Sequence, residues 1–241
     1  MANLVIEIGN TALKAAWAEG KTLGKTYRYQ GEKTIDFILS ITEKERPEVM
    51  AVVSAKALSA DDESVLKGEC RHLMLLDSNH PDYLQRYGIP EYLSYDRACS
   101  IMAVRHLFKG KPCTVFDFGT TLTIDLVGSD GRYRGGNISP GCRTRFKSLN
   151  RYAKSLPLIN TPNRFPQEGN SLESSIESGV ISGIMFEIEG YIRRLPDNII
   201  VFTGGDAIYF AKRMKYSLFV MSQLVLAGLA IMTDDYVEKN M

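Results

Sequence analysis

Short apolar runs alternate with segments of helical spacing along the first half of the chain. Residues 3–8 and 49–54 are rich in apolar and β-branched side chains, a pattern typical of buried strands. Between them, residues 34–42 carry isoleucine and leucine three and four positions apart, which predicts a helix. The same criteria predict strands at 13–17, 27–29 and 72–76 and a helix at 64–68.

The order of elements begins again after a helix predicted at residues 96–108. Apolar runs at 114–118 and 123–127 predict a second hairpin. Further along, the pattern predicts strands at 133–138 and 199–203, an extended loop at 157–170, and helices at 143–156, 173–195, 207–214 and 223–235. This repetition predicts a duplicated α/β fold with domains at 1–112 and 113–241, each a mixed sheet with flanking helices.

Each half opens with a hairpin whose turn carries an acid, a glycine and a threonine. The sequence reads IEIGNT at 6–11 and DFGTT at 117–121. Glycine permits positive φ and close approach of a ligand, and nearby hydroxyl and backbone N–H groups can hold phosphate oxygens. Glu7 and Asp117 end apolar strands, where a carboxylate needs a cation such as phosphate-bound Mg²⁺.

An ordinary β-hairpin explains either turn by itself. The pair, with the acid at the same offset, favours phosphate binding, and we expect two similar halves to form a cleft for a small ligand. In that arrangement Glu7 and Asp117 would face each other across the phosphates of a nucleotide.

The composition and charge of the chain limit which kinds of molecule it is expected to bind and where it is expected to reside. The 241 residues are 44% hydrophobic and carry a formal net charge of +1, which gives no general reason to expect nucleic acid or an anionic membrane. The four cysteines are scattered, without metal-site spacing, as in a reduced cytoplasmic protein. The first residues lack the features of a signal peptide. The basic residues at 143–154 are interpreted as a solvated helix face.

The ordered motifs resemble those of the type III pantothenate kinases, members of the acetate and sugar kinase, actin and chaperone ATPase superfamily. The resemblance covers almost the whole chain. It rests on IEIGNT at 6–11, YGIPEYLSYDR at 87–97, DFGTTLTID at 117–125, GGNISPG at 135–141, SSIESGVISG at 174–183 and TGG at 203–205. It implies ribonuclease-H-like, actin-like ATPase domains, and transfer of the ATP γ-phosphate to pantothenate at the start of coenzyme A synthesis. It also implies a homodimer.

The resemblance further implies roles for individual residues. Asp96 would accept the proton of the substrate hydroxyl, and Arg97 would contact the substrate; the residues alone equally allow Asp96 to be a helix N-cap. Asp117 would bind a monovalent cation, K⁺ or NH₄⁺, and Mg²⁺ would accompany ATP. The implied ATP site is Glu7, Ile8, Gly9, Asn10, Thr11, Ala12, Leu13, Lys14 and Thr120, and the implied substrate site is Tyr87, Ser94, Tyr95, Asp96, Arg97 and Leu172.

The chain departs from the family pattern at three places. Glu7 stands where Asp is usual, Ser94-Tyr95 replaces Gly-Ala, and Leu172 stands where a Thr is frequent. The extra methylene of Glu moves the carboxylate by roughly an ångström, a displacement that can cost about a hundredfold in rate, and Tyr95 would crowd the substrate pocket. These departures leave open an enzyme of reduced or altered specificity, or a degenerate relative that acts as a nucleotide-binding regulatory protein.

Overall fold

The computed structural model describes residues 2–80 and 82–240. Contacts divide the chain into two units, Met1–Lys109 together with Gln223–Met241, and Gly110–Ser222. Each unit contains one five-stranded mixed sheet with flanking helices. The predicted fold class, a duplicated mixed α/β architecture, is therefore confirmed.

The sheet of the first unit is built around its first strand. Its strands are β1 (Asn3–Ile8), β2 (Leu13–Glu19), β3 (Thr22–Tyr29), β4 (Val49–Ser54) and β5 (His72–Leu76), in the order β3-β2-β1-β4-β5. β1 pairs antiparallel with β2 and parallel with β4. Leu4, Ile6, Met50 and Val52 of these central strands are fully or almost fully buried, which explains their apolar sequence.

Four helices of the first unit lie between its strands or follow them. They are α1 (Thr34–Thr42), α2 (Ala60–Gly68), α3 (Asp82–Gln85) and α4 (Tyr95–Leu107). Ile38 of α1 and Leu66 of α2 are fully buried in the same apolar core as β1 and β4. Helical spacing in α1 therefore reflects a face that packs on the sheet.

The second unit repeats the same sheet. Its strands are β6 (Cys113–Phe118), β7 (Thr121–Val127), β8 (Tyr133–Pro140), β9 (Ile199–Gly204) and β10 (Phe219–Val220), in the order β10-β9-β6-β7-β8. Read from the other edge, this is the order of the first sheet. β6 pairs antiparallel with β7 and parallel with β9, as β1 does with β2 and β4.

Aromatic side chains fill the core of the second unit. Its helices are α5 (Cys142–Tyr152), α6 (Leu172–Arg194) and α7 (Ala207–Ala211). The ring of Phe118 stacks on Phe210 with centroids 5.1 Å apart, and it contacts Phe202 at 4.8 Å. Ile184 and Ile188 of α6 join this cluster, so the sheet is covered by a continuous apolar layer.

The structure corrects several predicted boundaries. β3 begins five residues earlier than predicted, and α5 and α7 end at Tyr152 and Ala211 rather than at residues 156 and 214. The sequence reading missed α3 and β10, which have four and two residues, because such short elements leave no periodic pattern. Residues 157–170, all of which the structure describes, contain no helix or strand, as predicted.

The last helix, α8 (Leu224–Asn240), belongs to the first unit. It packs mainly on α4, and its Gly228 lies so close to the backbone of Cys99 that a Cβ would overlap the Cys99 carbonyl. The predicted second domain, 113–241, had included this helix. The periodicity of apolar residues shows that a helix is buried but not which sheet it covers. For this reason the predicted domain boundary differs from the division seen in the structure. Among the described residues, no helix is both long and apolar enough to span a membrane.

We predict that Gly228→Ala destabilises the protein by about 1–3 kcal/mol, because a methyl group must separate α4 from α8. Denaturant unfolding measures the change. Gly68→Ala is the matched control, since nothing lies within 4 Å of a Cβ at this exposed position of α2; it should be neutral or stabilise by about 0.5–1 kcal/mol. Equal effects of the two substitutions would contradict the close helix contact.

Candidate functional site

The first predicted phosphate turn joins β1 to β2. The Gly9 amide donates to the Ala12 carbonyl at 3.1 Å, which closes the turn and leaves Asn10 and Thr11 exposed. The Ala55 amide donates to the Ile8 carbonyl at 3.0 Å and ties the turn to the end of β4. The turn therefore presents short polar side chains at a fixed edge of the first sheet.

The two turn glycines do not use the positive φ that glycine permits. Neither Gly9 nor Gly119 has positive φ. A Cβ at Gly9 would lie 3.2 Å from the Ala12 carbonyl oxygen, whereas one at Gly119 would lie 3.6 Å from that of Thr121. A side chain at position 9 would therefore be tight against the turn's own backbone, whereas one at position 119 would be at ordinary van der Waals distance.

The carboxylate of Glu7 meets a cation within its own hairpin. Glu7 and Lys14 face each other across β1 and β2, and Lys14 Nζ donates to Glu7 Oε2 at 2.9 Å. Their side chains are only 15% and 25% exposed, so the pair is partly shielded from water. The cost of placing an acid at the end of this apolar strand is therefore offset by Lys14.

The second turn, between β6 and β7, is shorter than the first. The Gly119 amide donates to the Thr121 carbonyl at 3.0 Å, which leaves Thr120 exposed at the tip. The Thr120 carbonyl accepts from the Gly141 amide at 3.0 Å and from Thr144 Oγ1 at 2.6 Å. The start of α5 thus fixes the backbone of this turn.

Gly141 is a site residue that the sequence reading missed. A Cβ at Gly141 would overlap the Gly119 and Thr120 carbonyls, so only glycine permits α5 to begin directly beneath the turn. The motif GGNISPG ends with this glycine, directly before the helix, so the sequence did contain a sign of it. The periodicity of apolar residues could not show that the β6–β7 turn packs against it.

Asp117 lies on the central strand β6 between two threonines. Thr123 of β7 and Thr203 of β9 are its cross-strand partners, so the three side chains share one face of the sheet. The Thr123 hydroxyl is buried and has no hydrogen-bond partner among the described residues. Gly204 has φ of +90°, and a Cβ there would overlap Asp117 Oδ1, so this glycine makes room for the carboxylate.

A carboxylate with flanking hydroxyl groups is a set of oxygen donors that suits a hard cation. No group of three or more His, Cys, Asp and Glu side chains able to hold a metal occurs in the part of the chain that the structure describes. A cation at Asp117 would therefore need hydroxyl, carbonyl, phosphate or water oxygens as its other ligands.

The start of α4 carries the predicted proton acceptor. Ser94 occupies the N-cap position, so the alternative interpretation of Asp96 as the cap is wrong. Asp96 is the second residue of the helix, is partly buried, and accepts a hydrogen bond from the Arg97 amide at 2.8 Å. The next residue, Arg97, is buried, with 8% of its surface exposed. Asp96 and Arg97 are therefore held on the first turn of a well-packed helix.

Cys99 lies three residues after Asp96 on α4 and is fully buried. Burial raises the pKa of Cys99 well above its ordinary value, and the negative charges of Asp96 and Glu7 raise it further. Burial, followed by the charge of Asp235, raises the pKa of Tyr87 to about 12, and Cys99 also contributes. The Tyr87 hydroxyl therefore stays protonated even in moderately alkaline solution and can donate a hydrogen bond. Glu7 from the first motif and Asp96 from the second thus both raise the pKa of Cys99.

The structure shows the environment of two departures from the family pattern, Ser94-Tyr95 and Leu172. The Tyr95 hydroxyl donates to the His80 carbonyl at 2.6 Å, whereas Ser94 is exposed. Leu172 is 55% exposed at the start of α6 and lines an apolar groove of about 790 Å³ between α5 and α6. Leu172 belongs to the second unit, while Tyr87, Ser94, Tyr95, Asp96 and Arg97 belong to the first.

Comparison with known proteins identifies the family. A family model described as type III pantothenate kinase matches residues 3–194. The chain belongs to the type III pantothenate kinase family. A type III pantothenate kinase of Bacteroides fragilis is 34% identical over 232 residues, which cover 94% of this chain and 95% of that protein. Membership in the type III pantothenate kinase family confirms the resemblance derived from the ordered motifs.

Solved structures support the fold assignment. A conserved Baf family protein from Campylobacter jejuni aligns with a TM-score of 0.65 at 19% identity, over 98% of this chain and 99% of that one. The ROK hexokinase of Thermus thermophilus aligns with a TM-score of 0.58 at 13% identity over 100% of both chains. At such identities the likeness concerns the fold alone, and it agrees with the predicted actin-like ATPase class.

We predict that Lys14→Met lowers the free energy of unfolding by about 1–2 kcal/mol, because it leaves the partly buried Glu7 carboxylate without its cation. Lys33→Met is the matched control. Its pair with Asp36 spans 4.0 Å and both side chains are largely exposed, so its loss should cost about 0–1 kcal/mol. Urea unfolding compares the variants, and a smaller loss for Lys14→Met than for Lys33→Met would refute the role given to the ion pair.

Proposed function

We propose that this protein is an ATP-dependent kinase that phosphorylates the primary hydroxyl of pantothenate. The product is 4′-phosphopantothenate, and the reaction opens coenzyme A biosynthesis. The observation that carries the proposal is the placement of Asp96, the candidate proton acceptor, on the first turn of α4 directly before the buried Arg97. The family to which the chain belongs supplies the substrate class.

The residues of the first unit provide what phosphoryl transfer requires. Such transfer depends on positioning and on neutralising charge more than on covalent chemistry. The Asp96 carboxylate would orient the pantothenate hydroxyl and accept its proton. Arg97 would bind the substrate carboxylate through its planar guanidinium, and neutral Tyr87 would donate a hydrogen bond in the same pocket.

We propose that both turns contact one molecule of ATP. They occupy equivalent positions, β1–β2 and β6–β7, in two sheets with the same strand order. Residues Glu7 to Lys14 would hold phosphates, with Thr120 as a contact from the second turn and Mg²⁺ bridging phosphate oxygens. That Glu7 and Asp117 face each other across these phosphates stays a prediction.

A monovalent cation, K⁺ or NH₄⁺, is proposed to bind at Asp117 rather than at Glu7. The equivalent acids differ in what faces them across the hairpin: Lys14 faces Glu7, whereas Thr123 faces Asp117. The first acid already has a cation of its own, while the second lies beside a hydroxyl oxygen that can act as a ligand. The buried Thr123 hydroxyl has no hydrogen-bond partner among the described residues, which supports placing the cation at Asp117.

Among the other proposed substrate contacts, Ser94 is exposed beside Asp96 and can offer its hydroxyl. The role of Leu172 in binding pantothenate also stays a prediction. The four cysteines are free and buried, in agreement with a reducing compartment, and we propose a cytoplasmic location. Recovery of the protein in a membrane or periplasmic fraction would contradict that location.

We propose that two copies of the chain associate through an exposed face of α6. Gly179, Gly183 and Phe186 lie on this face at helical spacing, and Phe186 is 65% exposed. Nothing in the described part of the chain lies within 4 Å of a Cβ at Gly179, so the face permits close approach of another helix. Sedimentation should show twice the chain mass of 26.9 kDa, and Phe186→Glu should lower it. A single 26.9 kDa species of the unmutated chain would contradict the dimer.

We predict that the protein forms phosphopantothenate from ATP and pantothenate in the presence of Mg²⁺ and K⁺, measured by mass spectrometry of the product. Asp96→Asn should lower kcat by about 10²–10⁴-fold, because the amide cannot accept the hydroxyl proton. Asp61→Asn is the matched control. Asp61 also lies in the first turn of a helix, but it is exposed and distant in sequence from the proposed site, so its loss should leave kcat unchanged.

Absence of product above background at saturating ATP, Mg²⁺ and K⁺ would contradict the function. An Asp96→Asn variant as active as Asp61→Asn would refute the role of Asp96 alone. Replacement of K⁺ by a tetraalkylammonium ion tests the cation site separately, since equal turnover and equal thermal stability in both salts would exclude it.

A further inference from the structure

The helix that carries Asp96 begins without a side-chain cap. Ser94 is at the N-cap of α4, yet its side chain makes no capping hydrogen bond within the described part of the chain. By contrast, the Ser59 hydroxyl accepts from the Asp62 amide at the start of α2, and the Ser171 hydroxyl accepts from the Ser174 amide at the start of α6. A first turn without such a cap frays more readily, so another contact is needed to hold Asp96 in place.

A rigid turn follows β5 and faces this helix start. Asp77 is 2% exposed, and its carboxylate accepts from the Asn79 amide at 2.9 Å and from His80 Nδ1 at 2.8 Å. It also accepts from the Leu58 amide at 3.3 Å, and the His80 amide donates to the Asp77 carbonyl at 3.0 Å. Burial opposes the charge, but these hydrogen bonds hold the pKa of Asp77 below its ordinary value. The turn 77–80 is therefore fixed by an ionised, buried carboxylate.

Tyr95 connects the fixed turn to the uncapped helix. Its hydroxyl donates to the His80 carbonyl at 2.6 Å, and its backbone forms the first residue of α4, directly before Asp96. The bond joins residues 15 positions apart in the chain. The position of Asp96 is thus set by a chain of contacts that starts at Asp77 and passes through His80 and Tyr95.

We propose that Tyr95 is a positioning residue that holds the first turn of α4, and with it the Asp96 carboxylate, in the geometry needed for phosphoryl transfer. This inference rests on the proposed function. The sequence predicted that Tyr95 would crowd the substrate pocket. In the structure its hydroxyl binds the protein backbone instead, so Tyr95 would support the active geometry rather than obstruct the substrate. A misplacement of about 1 Å at a reacting group can cost on the order of 10²-fold in rate, so loss of one tether can have a large effect.

Tyr95→Phe tests the tether, because it removes only the hydroxyl and keeps the ring. We expect kcat to fall about tenfold, with KM for ATP and pantothenate unchanged within about twofold. Hydrogen exchange of the first-turn amides of α4 should become faster. Tyr92→Phe is the matched control, since Tyr92 is 74% exposed three positions away and should change neither kcat nor exchange.

His80→Ala provides a second test, which acts on the same series of contacts from Asp77 through His80 to Tyr95. It keeps the carbonyl that Tyr95 binds but removes the imidazole that bonds Asp77, so it loosens the turn from the other side. We expect a lower kcat in this variant as well. The double variant should be no worse than the more impaired single variant, because both act through one contact. Circular dichroism establishes the folded fraction, and kcat is expressed per folded enzyme.

The possible outcomes separate this inference from the proposed function. An active unmutated enzyme with unchanged kcat in Tyr95→Phe overturns the positioning role and leaves the function intact. A higher kcat or a lower KM for pantothenate in Tyr95→Phe also overturns it, since Tyr95 would then crowd the substrate. An unmutated protein without pantothenate turnover overturns the proposed function, and the positioning role falls with it.

Discussion

The parallel pairing of a hairpin strand with the next strand of its sheet is the constraint on which the candidate site depends. β1 pairs with β4 and β6 pairs with β9, so the carboxyl ends of both strands in each pair lie at one edge. The acids Glu7 and Asp117 stand near these ends, directly before the turns. Because the central strands are buried on both faces, their register cannot slip without exposing apolar side chains or burying polar ones.

The two halves have the same topology but treat their acids differently. In the first hairpin Lys14 forms an ion pair with Glu7 across the strands, so the negative charge of Glu7 is balanced within the hairpin itself. In the second, Asp117 lies between two threonines and beside a glycine that leaves space for its carboxylate. This difference is the basis for proposing phosphate binding at the first turn and cation binding at the second. The shorter second turn, tied to the start of α5, adds to this difference.

Burial around α4 connects the fold to the proposed chemistry. The helix is covered by α8 through a contact that only Gly228 permits, and its buried Cys99 lies near the charges of Glu7 and Asp96. A hydrogen bond from Tyr95 joins its first turn to the His80 carbonyl, and the buried Asp77, the first residue after β5, binds the His80 side chain. Packing against α8 and the hydrogen bond of Tyr95 therefore both hold the part of α4 that carries the candidate proton acceptor, as positioning of a reacting group requires.

The sequence by itself determined the elements and their repetition. β1, α1, β4 and β5 have the predicted bounds to the residue, because strict apolar runs and helical spacing report local burial directly. The ordered motifs also indicated the family. Only the tertiary structure decided that α8 joins the first unit, that Lys14 is the cation facing Glu7, and that Gly141 lies beneath the second turn. Periodicity shows that a side chain is buried, whereas its partner depends on strand register and helix packing between segments far apart in the chain.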